Sequence, residues 1–190
     1  MSTLSRLVGA TAATVLVVGV ASSASAAVLS HLHFENSGSE PFPFCEGIDA
    51  VVSWDDTVHE LVKSRGREGL VYFSANVQGT TVYTNLDTGK TYSNTYNITD
   101  RDQQVTDNGD GTLTITIAQP GSNKWFDSDG RQVFVTAGTF WFQIMVDDGG
   151  TPTDPSDDQE IEGSFVVVKD AGHDGTAGRD FCEDLALFTS

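Results

Sequence analysis

The chain has 190 residues and carries 10 Lys and Arg against 27 Asp and Glu, a formal net charge of −17 at pH 7. A polypeptide this negative repels phosphate backbones and anionic lipid, which argues against nucleic acid and membrane surfaces as partners and leaves divalent cations and cationic groups. An apolar content of 38% is too high for a disordered acidic chain.

The first 27 residues read as an address for export. Arg6 supplies the positive start, Leu7 to Ala21 form an apolar run of about fifteen residues, and Ser22–Ala27 (SSASAA) offers small residues for cleavage after Ala26 or Ala27. A membrane-spanning helix needs roughly 20 apolar residues, so the run predicts a cleavable signal peptide and no insertion after cleavage. Residues 1–27 hold one Arg and no acid, so residues 28–190 keep 9 basic against 27 acidic groups, a net charge of −18. That length suits one secreted, extracellular domain with its own core, expected to be monomeric.

Period-two patterns dominate the rest. In chain order the candidate strands are Leu29–Phe34, Ala50–Trp54, Leu70–Val77, Thr81–Thr84, Thr91–Thr99, Leu113–Ile117, Val133–Val135, Thr139–Val146, Glu160–Lys169 and Phe181–Phe188. Leu113, Ile115 and Ile117 share one face with threonines between them, as in a strand wet on one side. Thr139–Val146 is apolar on both faces, with Phe140, Phe142, Ile144 and Val146 opposite Trp141 and Met145, as in a central or covered strand. Thr57–Glu60 has the form of a capping box with Gly66 as a possible stop, and reads as a strand or a single helical turn. Turn chemistry recurs at Asp87–Lys90, Asn108–Gly111, Ser128–Arg131 and Asp148–Thr151. Short strands punctuated this way predict an all-β fold, a single antiparallel β-sandwich of Ig-like or jelly-roll-like kind.

Cys45 and Cys182 are the two cysteines, and both follow the signal segment. In an oxidising compartment an even count predicts a Cys45–Cys182 disulfide that ties the first strands to the last. GLVYFSANVQGTTVYTNLDTGKTY, VTDNGDGTLTI, GGTPTDPSDD and AGRDFCEDL, in that order, resemble a group of small secreted proteins common in actinobacteria. The similarity runs through most of the exported chain. It implies export, and it supplies no activity and no catalytic residue.

Residues 147–160, DDGGTPTDPSDDQE, hold six carboxylates and no Lys or Arg. Asp147, Asp148, Asp154, Asp157 and Asp158 are candidate calcium ligands, since calcium takes six to eight oxygens, and Pro152 and Pro155 would stiffen the loop. The spacing does not follow an EF-hand, and Asp, Gly, Pro and Ser equally make a solvated loop that keeps flanking strands soluble. His31 and His33 put two imidazoles on one face of a strand, a pair that would need further ligands to hold zinc or copper. No G-x-S-x-G elbow or phosphate-cradling loop occurs. Glycoside hydrolysis needs only two carboxylates across a cleft, for which Glu60, Glu160 and Glu162 are candidates, with Trp54, Trp125 and Trp141 as sugar platforms. The sequence thus predicts a non-catalytic secreted β-sandwich that presents a surface to a protein, a glycan or the cell envelope. Its alternatives are a calcium-stabilised module and a small glycosidase.

Overall fold

The computed structural model describes residues 26–190. Of the predicted signal peptide only its last two residues fall within that range, and the rest lies outside it. Eight strands and one helix follow in order: β1 (Ala27–Pro41), β2 (Ala50–Arg65), β3 (Leu70–Asn85), β4 (Thr91–Asp107), β5 (Thr112–Phe126), β6 (Gln132–Asp147), β7 (Gln159–Glu160), β8 (Val166–Asp174) and α1 (Phe181–Thr189). Every pairing is antiparallel. The strands run β1 to β7 as a meander, and β8 adds to β6 beside β7.

Local chemistry sets the hairpins. In the turn between β4 and β5, Gly109 and Gly111 take positive φ of 75° and 86°, which a side chain would disfavour. The Asp107 and Asp110 carboxylates accept the Gly109 and Thr112 amides at 2.7 and 3.2 Å, holding the turn closed. All four predicted turns lie where the chain leaves a strand. Thr57–Glu60 belongs to β2, and Gly66 opens the turn to β3.

The predicted strands up to Thr139–Val146 are real but longer, whereas the expected strand Glu160–Lys169 is overturned: a turn at 161–165 splits it between β7 and β8. Leu70–Val77 and Thr81–Thr84 are one strand, as are Val133–Val135 and Thr139–Val146, and the six long strands run 15 to 17 residues. At about 3.3 Å per residue each spans roughly 50 Å. The all-β, antiparallel expectation holds. The finer expectation of two packed layers meets a different pairing, because all eight strands belong to one hydrogen-bonded sheet.

That sheet curls. Val62 of β2, Phe73 of β3, Val105 of β4 and Ile115 of β5 line a common cavity, so they share the concave face. Register carries Ile117, Phe140 and Ile144 onto the same face. Ser74, Asn76, Thr114 and Thr116 alternate onto the convex side. There Asn76 donates to the Asn97 amide oxygen at 2.8 Å and to the Thr99 hydroxyl at 2.9 Å.

Burial concentrates at the two ends of the concave face. One cluster centres on Cys45, Ala50, Tyr92 and Leu185, the other on Leu70, Val105, Leu113 and Val146. Helix α1 plugs the first end. Phe181–Phe188 read as a strand in sequence, and this is overturned: the segment is helical from Phe181 to Thr189. Asp180 caps it by accepting the Cys182 and Glu183 amides at 2.8 and 3.0 Å. Phe181, Leu185 and Phe188 then fall on one face. Phe188 and Trp125 stack against Tyr92 with centroids 5.3 and 4.9 Å away, and Leu185 is fully buried. Arg179 grips the buried Asp184 carboxylate, and Thr88 donates to the Thr189 carbonyl at 2.6 Å, so both helix ends are held. The Cys45–Cys182 disulfide is formed, with Cα atoms 5.3 Å apart, and it pins the first turn of α1 to the segment between β1 and β2.

The bridge closes a separation of 137 residues. Chain-entropy reasoning assigns a loop of that size about 5 kcal/mol. Replacing both cysteines by Ser should lower unfolding free energy by that order in urea titrations; a loss under about 1 kcal/mol would mean that α1 docks without its tether.

Candidate functional site

A depression of about 570 Å³ crosses the concave face over β5, β6 and β8. Its floor is a row of glycines. Gly121 pairs with Gly138, and Gly138 with Gly172, so three strands lack a side chain at one level. A Cβ on Gly138 would stand 2.5 Å from the Ala171 carbonyl oxygen, which shows how closely the strands approach there. The absent side chains leave a trough about 10 Å long, two strand spacings.

The register supplies the banks. Asn123, Thr136 and Asp174 line one side, and Gln119, Phe140 and Asp170 the other, with Trp125 beyond the first bank and Ile98 at the β4 end. Several of the polar groups are already oriented. Asn123 Oδ1 accepts Asn94 Nδ2 at 2.9 Å, and Gln119 Nε2 donates to Asp100 Oδ1 at 2.7 Å. Asp174 Oδ1 accepts the Thr136 hydroxyl at 3.1 Å and the Thr176 hydroxyl and amide at 2.8 and 2.9 Å. The Thr176 bonds hold the Asp174 carboxyl below its ordinary range, so it stays ionised and is suited to accept hydrogen bonds. Such a site combines an aromatic wall with a few fixed polar groups, the general makeup of a small-ligand cleft.

The acidic loop sits at the other end of the concave face. Its acids serve mainly as local clasps: Asp147 accepts the Gly149 amide at 3.0 Å, Asp148 the Gly150 amide at 2.8 Å, Asp154 the Ser156 amide at 3.0 Å and Asp157 the Thr151 hydroxyl at 2.8 Å. Asp148 is buried, whereas Asp158 points inward with a buried Oδ1 that meets no partner. Among the described residues no three His, Cys, Asp or Glu side chains are placed to hold a metal ion. Pro152 and Pro155 press onto the sheet and help line a cavity of about 150 Å³ over the second apolar cluster.

The remaining candidates scatter. His31 and His33 lie on the convex side of β1, and His33 stacks on His59 directly opposite, with centroids 4.2 Å apart. His173 reaches the trough from β8. Glu60 sits mid-strand on β2, Glu160 is on the short β7 and Glu162 in the exposed turn after it; none lines the trough. Of the tryptophans only Trp125 does. Trp54 lies against Gly38, and Trp141 faces the convex side.

Comparison with protein-family models, with curated proteins and with solved structures finds no match for this chain. The functional argument therefore rests on geometry.

Asp102 offers a test of that geometry. It is 8% exposed, and burial pushes its carboxyl up from 3.8 to about 6, against the pull of the Phe73 amide that it accepts at 2.7 Å and of the more distant Arg65. The folded chain thus holds this proton more tightly than the unfolded one does. Its contribution is complete below pH 3.8 and is lost as pH rises through about 6. The expected loss is on the order of 3 kcal/mol, and Asp102→Asn should flatten that part of the stability–pH curve measured by urea unfolding.

Proposed function

We propose that this chain is an exported, non-catalytic binding protein that takes a glycan in the glycine-floored trough. The observation that carries the reading is the alignment of Gly121, Gly138 and Gly172 between banks bearing Phe140, Trp125, Asn123, Gln119 and Asp174. An aromatic face attracts the partly positive C–H edges of a sugar ring, and fixed amide and carboxylate groups match its hydroxyls. A bare floor lets an extended chain lie across the strands. The negative charge of Asp170, Asp174 and the chain as a whole favours neutral or cationic sugars over sulfated or uronic ones.

Export is supported by the amino-terminal pattern and the disulfide, and no helix of the described residues is long and apolar enough to cross a membrane. β1 begins at Ala27, beside the predicted cleavage point, so cleavage would leave the sheet whole. The non-catalytic part of the reading draws on the sequence, which offers no nucleophile elbow and no phosphate-cradling loop.

Pull-down on insoluble neutral polysaccharides, followed by titration with soluble oligosaccharides, tests the proposal. Phe140→Ala and Asn123→Ala should each weaken binding at least tenfold while circular dichroism shows the sheet still folded, and no new reducing ends should appear. Absence of binding across neutral and amino-sugar polymers, or turnover of any of them, would overturn it.

A further inference from the structure

The cavity under Pro152 and Pro155 is distinct from the trough and has an unusual composition. Its walls are carbon, from Val62, Phe73, Val105, Leu113 and the two prolines, yet two carboxyls open into it, Asp102 from β4 and Asp158 from the loop. Among the described residues neither makes a salt bridge. Asp102 is more than nine-tenths buried and accepts one backbone amide and no side-chain donor. Asp158 Oδ1 is sealed from solvent without a hydrogen bond. The cation that acts on Asp102, Arg65, lies with its guanidinium 4.6 Å over the Tyr72 ring. The other charges near the pair are acids: Asp100 beside Asp102, and Asp148, Asp154 and Asp157 around Asp158.

Buried carboxylates without a counter-charge are costly, and each such atom is a vacant acceptor. A bare divalent cation would want six or more oxygens, which apolar walls do not supply. A primary ammonium needs only up to three acceptors, and an alkyl stem behind it would bury against carbon. The volume of about 150 Å³ equals roughly five water volumes, the size of a four-carbon amine.

We infer that this cavity is a binding site for a primary alkylammonium group, with Asp102 and Asp158 receiving the charged head and the proline-roofed apolar wall receiving the stem. A lysine side chain of a partner and a free diamine present the same chemistry. The site deepens the preference for cationic partners and does not depend on the glycan reading, since Phe140 and Asn123 lie elsewhere.

The test uses the exported full chain at pH 7 and fixed ionic strength. Titration with n-butylammonium, followed through the Phe73 amide by nuclear magnetic resonance, should saturate, while n-butanol and tetramethylammonium bind at least tenfold more weakly. Asp102→Asn and Asp158→Asn should each reduce affinity at least tenfold. Asp102→Asn removes a buried charge and keeps an acceptor for the Phe73 amide, so its fold is retained. Lowering the pH from 7 to 5 should weaken binding as Asp102 takes up a proton, and Phe140→Ala should leave it unchanged. Cadaverine and Nα-acetyl-lysine methylamide, compared in the same assay, separate a free diamine from a lysine side chain. Equal responses to butylammonium and butanol, or to butylammonium and tetramethylammonium, would overturn the inference. So would wild-type affinity in Asp102→Asn.

Discussion

A single curled sheet of long strands has one face to hide and no second sheet to hide it against, and this constraint organises the molecule. The apolar stripe of the concave face runs across β2 to β6, and its buried clusters form at its two ends, where other parts of the chain fold back. At one end α1 brings Phe181, Leu185 and Phe188 onto Tyr83, Tyr92 and Trp125. At the other, the segment after β6 brings Pro152 and Pro155 over Val105 and Leu113. A helix of nine residues is too short to be stable alone. Its aromatic face, the grip of Arg179 on Asp184 and the disulfide together make it a plug, so the Cys45–Cys182 bridge and the apolar contacts of α1 hold the same end of the sheet.

Between the plugs the concave face stays open, and there the sheet carries groups that a core would reject. The Tyr96 hydroxyl donates to Asp56 across Gly79, which stands between them in the register and has no side chain to block the bond. Burial, reinforced by Asp56, pushes the Tyr96 phenol up to about 12, so it remains a donor at any physiological pH. The glycine row of the trough repeats this device over three strands. Removing side chains at one level lets neighbouring strands approach, which tightens the curl, and it also clears a floor. One substitution pattern therefore serves both shape and access, and a larger residue at Gly138 would disturb the backbone of β8 before it filled the trough.

How much of this was legible follows from which features are local. Turn residues act on their own neighbours, and the turns at 87–90, 108–111, 128–131 and 148–151 were readable in the sequence. The disulfide was readable because two cysteines leave one pairing. The helix was not: Phe181, Leu185, Leu187 and Phe188 satisfy a strand reading over so few residues, and the deciding signal, Asp180 as a cap, is a single side chain. The strands were cut short because Gly79, Gly121 and Gly138 look like breaks, whereas in a sharply curled sheet they are interior positions. The sandwich expectation goes finer than the one hydrogen-bonded sheet shows, for a related reason. Alternation says that one face is apolar and is silent on whether a second sheet or two plugs cover it. The trough was the least readable feature, since its three glycines are far apart in sequence and meet only through the register. The stacking of His33 on His59 is hidden in the same way.

The acids that dominate the composition divide by what surrounds them. Asp127, Asp154 and Asp174 sit in turns where amides or hydroxyls point at them, and these bonds hold their carboxyls below the ordinary range. Asp102 and Asp158 sit over the apolar cluster at the far end, where burial is the first cause pushing both upward. The turn acids support the fold while ionised and withdraw that support only in strong acid. The two inward acids act in the opposite sense and favour the fold while protonated. Because β4 carries one of them and the loop after β6 the other, their ionisation strains the loop-covered end and leaves the helix-plugged end untouched. The molecule is thus electrostatically asymmetric: one end is fixed by a covalent bridge and by an ion pair to the buried Asp184, and the other is held by carbon packing over carboxyls that make no salt bridge.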